Sequence, residues 1–132
     1  MNGSGAEGVI VIVEDDEGVA EFLEAVIKEF TGNRAVVVPN GETALSVIRQ
    51  EMPRVVISDV MLPGMNGINV FDALQSSAET AGIPVIFISC CRDYWREIRQ
   101  RGVKLFLEKP FTLDHLLLAL DQAMTSGRPH AA

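Results

Sequence analysis

The chain has 132 residues, 48% of them apolar, which is enough for one domain with a real core. A net charge of −7 argues against direct nucleic-acid binding, because phosphate contacts need a basic face. No apolar run approaches the roughly 20 residues of a membrane span. Residues 1–8 lack the basic start and apolar stretch of a signal peptide, so a cytoplasmic protein without membrane contact is expected.

In chain order, strand and helix patterns alternate. Val9–Val13 is a continuous apolar run, the pattern of a buried strand, and the acids Glu14, Asp15 and Asp16 follow it. Val19, Phe22, Leu23, Val26, Ile27 and Phe30 recur at helical spacing, with Asp16 as the N-cap and Gly32 as the stop. Arg34 to Val38 is a second strand. Asn40-Gly41 turns the chain into a helix carrying Ala44, Leu45 and Ile48, which Pro53 ends. A third apolar run from Val55 ends in one acid, Asp59, and the turn-forming Pro63-Gly64 pair follows. Ile68, Phe71 and Leu74 mark a third helix after Gly67, and Pro84 to Ile88 a fourth strand. From Ser89 to Gly102 the only large apolar residues are Tyr94, Trp95 and Ile98, read as packing on a short fourth helix. Val103 to Leu107 is a fifth strand. Thr112 caps a last helix that turns Leu113, Leu116, Leu117, Leu120 and Met124 to the core and Leu118 away from it.

Five β-α units with near-continuous apolar strands predict an α/β domain over residues 9–126, with tails at 1–8 and 127–132. A parallel sheet covered by helices on both faces follows from the right-handed crossovers, in the flavodoxin-like strand order 2-1-3-4-5. In such sheets ligands bind outside the carboxyl ends of the strands. Glu14, Asp15, Asp59 and Lys109 all fall at that edge.

Three carboxylates gathered there would repel each other by about 4 kcal/mol per pair at an effective dielectric of about 20. Lys109 offsets one charge, and the remaining two match one divalent cation. Carboxylate oxygens plus water suit Mg²⁺, which often shares its site with a phosphoryl group. A carboxylate beside that ion and a lysine can act as a nucleophile toward phosphorus.

These residues resemble the receiver domain of bacterial two-component response regulators from Val9 to Met124. The resemblance rests on Glu14-Asp15 after strand one, Asp59 with Pro63 and Gly67, Ser89 after strand four, and Lys109-Pro110-Phe111 after strand five. It implies a phosphoacceptor at Asp59, Mg²⁺ held by Asp15, Asp59, the Met61 backbone carbonyl and Glu14, the last through water or as a ligand, and Ser89 and Lys109 on the phosphoryl group. Phe106 takes the place of the switch aromatic. The implied partners are a sensor histidine kinase or histidine phosphotransfer protein as donor, and a downstream protein or second copy on the face of helix four, strand five and helix five. The implied role is phosphorelay signalling, in which the chain acts only on its own phosphorylation and dephosphorylation. Two departures from the family pattern stand out: the segment between Ser89 and Lys109 is about two residues short, and Cys90 replaces a small residue that is often Ala.

Taken singly, Asp16 is a helix cap, Ser89 a turn residue and Lys109 a surface charge. Glu14, Asp15, Ser89 and Lys109 together with Asp59 make a pocket. A pseudo-receiver that binds partners without phosphorylation would be favoured by an incomplete acid, hydroxyl or lysine set, and here the set is complete. A phosphohydrolase of the haloacid dehalogenase type would carry a second Asp two residues after the first, where this chain has Met61. The adjacent Cys90 and Cys91 suit neither a structural bridge nor a metal site, and are expected as buried thiols in or beside a strand. His115 and His130 are expected at the surface, and no Cys/His zinc spacing exists.

Overall fold

The computed structural model describes residues 8–126. The expected tails, apart from Gly8, lie outside the described residues, as does His130. Strands β1 (Val9–Val13), β2 (Arg34–Val38), β3 (Val55–Asp59), β4 (Val85–Ser89) and β5 (Phe106–Glu108) form one parallel sheet in the order β2-β1-β3-β4-β5. Helices α1 (Glu17–Thr31), α2 (Gly41–Glu51), α3 (Gly67–Gln75), α4 (Trp95–Gln100) and α5 (Leu113–Ser126) follow the strands in turn.

Alternation along the strands divides the core in two. Val11, Val13, Val56, Val85 and Phe87 point to one face, where Ala44, Ile48, Ile68, Phe71, Leu74 and Ile98 from α2, α3 and α4 cover them. Ile10, Ile12, Val55, Ile57, Ile86 and Ile88 point to the other, against Leu23, Val26 and Ile27 of α1 and Leu116 and Leu120 of α5. Burial of each such Val, Leu, Ile or Phe side chain stabilises the fold by about 1.5–3 kcal/mol. Because both faces are covered, β1, β3 and β4 are buried at every residue and show no polar alternation.

The expected caps form. Val19 N–H donates to Asp16 Oδ1 (3.0 Å) and His115 N–H to Thr112 Oγ1 (3.1 Å), while Gly32 ends α1 with φ 74°. Exposed His115 also stands as expected.

Several expectations need correction. Strand β5 runs Phe106–Glu108 rather than Val103 to Leu107, because the Val103 N–H bonds the Ile98 carbonyl (3.4 Å) and so belongs to the end of α4. Strand β4 is shifted by one residue and ends on Ser89, which puts Cys90 beyond the sheet; Cys90 is exposed and Cys91 half-buried, not enclosed. On α1, Phe22 and Phe30 are 42% and 55% exposed, since the buried stripe is narrower and includes Ala20 instead. On α5, Leu113 is exposed and Ala119 and Ala123 fill the interface. Leu118 faces outward as expected.

Candidate functional site: an acidic pocket at the carboxyl edge of the sheet

The central strands deliver the acids. The register pairs Val13 with Ser58, so the residue that ends β3, Asp59, and the residue after β1, Glu14, lie side by side at one edge. Glu14 stays in place through its own backbone N–H, bonded to the Val38 carbonyl (3.0 Å), and through its Oε2, which accepts from Asp16 N–H (3.0 Å). Asp59 Oδ1 accepts from Met61 N–H (3.1 Å). Lys109 is set at the end of β5 by its N–H bond to the Ser89 carbonyl (2.9 Å) and precedes a cis peptide bond to Pro110.

Lys109 Nζ then reaches Asp59 Oδ2 at 2.9 Å and Glu14 Oε1 at 3.1 Å. Burial pushes the Glu14 carboxyl above its ordinary range, and the neighbouring Asp59 charge adds to that. For Lys109 burial works against the ammonium, but its pairing with Asp59 and Glu14 outweighs the burial and raises its pKa. One cation is thus shared between two buried acids. Apart from the Lys109 ammonium, the enclosed Glu14 Oε1 has no partner among the described residues. Exposed Asp15 completes the group, and one oxygen from each of Glu14, Asp15 and Asp59 lies within 4.8 Å of the others. Such a set of converging carboxylate oxygens, with more negative charge than Lys109 alone offsets, can hold a hard divalent cation.

Ser89 is fully buried at the end of β4, and its Oγ accepts from Cys91 N–H (3.1 Å). That leaves the hydroxyl proton free to be donated. Phe106 lies half-buried on β5 with its ring stacked on Trp95, centroids 4.8 Å apart. Met61 is exposed in the loop after Asp59. Gly67 explains that loop's path: its N–H bonds the Val60 carbonyl (2.8 Å), and a Cβ there would overlap the Asp59 carbonyl oxygen.

Glu14, Asp15, Asp59 and Lys109 are therefore brought together as the sequence predicts. What sequence reading missed is the local support. The Met61 and Asp16 amides on the two carboxylates leave no residue-type signal, because any residue supplies an N–H. The Trp95–Phe106 stack depends on how α4 packs against β5 and has none either.

Known proteins point the same way. The family model of the response regulator receiver domain matches residues 10–121. The chain is 28% identical over 131 residues to response regulator Rre1 of Synechocystis, covering 93% of this chain and 57% of that protein. It thus spans little more than half of that relative. Its fold is similar, with a TM-score of 0.80 and 29% identity, to the signal receiver domain of a signal transduction histidine kinase from Syntrophus aciditrophicus, over 95% of this chain and 96% of that one. The receiver domain of sensor histidine kinase PA1611 from Pseudomonas aeruginosa shares the fold at a TM-score of 0.82 and 22% identity, over 92% of this chain and 100% of that one. That structure has a magnesium ion coordinated in its active site cleft. Among the described residues no helix is long and apolar enough to cross a membrane. With the family match spanning most of the chain and the acids and lysine meeting at the sheet edge, this chain belongs to the response regulator receiver domain family.

Proposed function

We propose that Asp59 accepts a phosphoryl group from the phosphohistidine of a sensor histidine kinase or a histidine phosphotransfer protein, so that the chain is a phosphorylation-dependent signalling receiver. The observation that carries this reading is Lys109 Nζ bridging Asp59 Oδ2 and Glu14 Oε1 beside three converging carboxylates. Mg²⁺ suits the oxygen set and its excess negative charge, and Glu14, Asp15, Asp59 and the Met61 carbonyl would hold it. When bound, the ion supplies positive charge against the phosphoryl oxygens.

The chain's own residues do the rest. An Asp59 carboxylate oxygen forms the new bond to phosphorus as the bond from phosphorus to the donor imidazole nitrogen breaks, and that nitrogen keeps the electron pair and then a proton. Lys109 pairs with a phosphoryl oxygen, and the Ser89 hydroxyl donates a hydrogen bond to another. The group adds about −1.5 to −2 charge and three acceptor oxygens, which draws both inward. Phe106 follows into the space that Ser89 vacates. It has no phenol hydroxyl, so its inward state is held by packing alone. Catalysis by the chain is limited to its own phosphorylation and dephosphorylation. The signal leaves through the face of α4, β5 and α5, to a downstream protein or a second copy.

Acetyl phosphate or phosphoramidate with Mg²⁺ tests this by intact mass. One added phosphoryl group on the wild type and none on Asp59→Asn is the expected result. No labelling of the wild type contradicts it and favours a module that binds partners without phosphorylation.

A further inference from the structure

Basic residues of this acidic chain are concentrated in the stretch from 92 to 104, with Asp93 and Glu97 among them. Arg92, Arg96, Arg99, Arg101 and Lys104 are five of its 11 basic residues. Arg101 is occupied by a bidentate pair with Asp72, through Nε at 2.7 Å and Nη2 at 3.0 Å. Arg92, Arg96 and Arg99 are different. A 3-10 turn over Arg92–Tyr94 leads directly into α4, so the three stand at positions i, i+4 and i+7 of one face, spanning about 10 Å. All three are exposed and line an open depression of about 720 Å³ with Asp93 and Trp95. Among the described residues, Arg96 and Arg99 have no acid within ion-pair distance, and Arg92 meets Glu108 only at 3.7 Å in solvent.

This face is joined to the sheet. The Arg99 guanidinium lies 5.7 Å from the centroid of the Trp95 ring, and the same ring stacks on Phe106. The Trp95 ring thus touches both Arg99 and Phe106, so a displacement of Phe106 changes what that ring packs against on the side of the sheet.

We propose that the Arg92, Arg96 and Arg99 face of α4 docks an acidic peptide segment of a partner protein, and that the Trp95–Phe106 stack makes this docking respond to Asp59. Three guanidiniums over about 10 Å match two or three carboxylates of a short segment. A nucleic acid would carry its further phosphates against a chain of net charge −7, and a second copy would bring the same −7. A partner presenting one local acidic stretch avoids both repulsions. The coupling rests on the reading of Phe106 as the switch given above; the docking does not.

The test titrates the full chain with an acetylated helical peptide carrying glutamates at i, i+4 and i+7, read by the emission of Trp95, the chain's one tryptophan. Saturable, salt-sensitive binding is expected, with none for the same peptide carrying glutamines. R96E is expected to weaken binding about tenfold or more, while R49E, on exposed α2 surface, leaves it unchanged. Beryllofluoride as a phosphoryl mimic is expected to change the affinity severalfold in wild type and not in Phe106→Leu. No binding, equal binding of the two peptides, or an unchanged R96E overturns the docking. Tighter binding of a single-stranded oligonucleotide, or self-association that R96E abolishes, overturns the choice of partner. Peptide binding indifferent to beryllofluoride, in protein that labels at Asp59, overturns the coupling alone.

Discussion

The two sides of the sheet's carboxyl edge are built to different standards. Glu14 and Asp59 hang from β1 and β3, strands buried at every residue and paired on both sides. Lys109 and Phe106 hang from β5, a three-residue edge strand that is only half-buried and pairs with β4 alone. Next to it, α4 has six residues, one of them, Ile98, buried. A carboxylate meant to hold charge in one geometry needs the first kind of support. A part meant to change position needs the second, because elements that move are drawn from the less stable end of a structure.

Core truncation gives the largest contrast. Phe87→Ala, in fully buried β4, is expected to cost about 3–5 kcal/mol, whereas Leu107→Ala in half-buried β5 costs about 1–2 kcal/mol. Urea unfolding of the pair measures it, and equal losses would erase the distinction between the strands. Next comes Gly67→Ala, whose new Cβ must displace the Asp59 carbonyl; a loss of about 1–3 kcal/mol is expected, together with slower labelling of Asp59. Full stability with normal labelling would show that the loop has room to give.

A smaller effect is expected on the rigid side when ligand charge is removed. Asp15→Asn should lower Mg²⁺ affinity about tenfold or more, seen by titration of the metal-free protein, since it replaces one of three converging carboxylates with a neutral amide. Equal affinities would remove Asp15 from the site. The smallest effect belongs to the strap between α3 and the end of α4. Its Asp72 carboxyl is held below the ordinary value by the hydrogen bond from Arg101, with burial opposing. With the folded pKa depressed, the pair's contribution is present above the unfolded value of 3.8 and is lost as pH falls through the lower folded value. Both groups are solvated, so Asp72→Asn is expected to cost only about 0.5 kcal/mol near neutrality, measured by thermal melts. The difference from wild type should vanish in acid; a difference that persists there would point to packing rather than charge.

The rigid half was the legible half. Continuous apolar runs ending in acids locate β1, β3, Glu14 and Asp59, because burial on both faces leaves a strong signal in residue type. The edge was not. Val103 has the composition of a strand residue yet bonds to α4, and Cys90 looks like a strand continuation although β4 has already ended. Those outcomes are decided by which neighbour takes a backbone N–H, and residue type does not encode that. Phe22, Phe30 and Leu113 fall at helical spacing but outside the buried stripe, because spacing gives a face and not its width.

The claim that a rigid pocket drives a looser edge is tested most directly by amide resonances of the Mg²⁺-bound protein with and without beryllofluoride. Shifts over residues 89–118 larger than those of α2 and α3, and reduced beyond the pocket in Phe106→Ala, are the result expected here. Shifts confined to the neighbours of Asp59 would contradict it and show that the segment after Ser89 does not carry the signal.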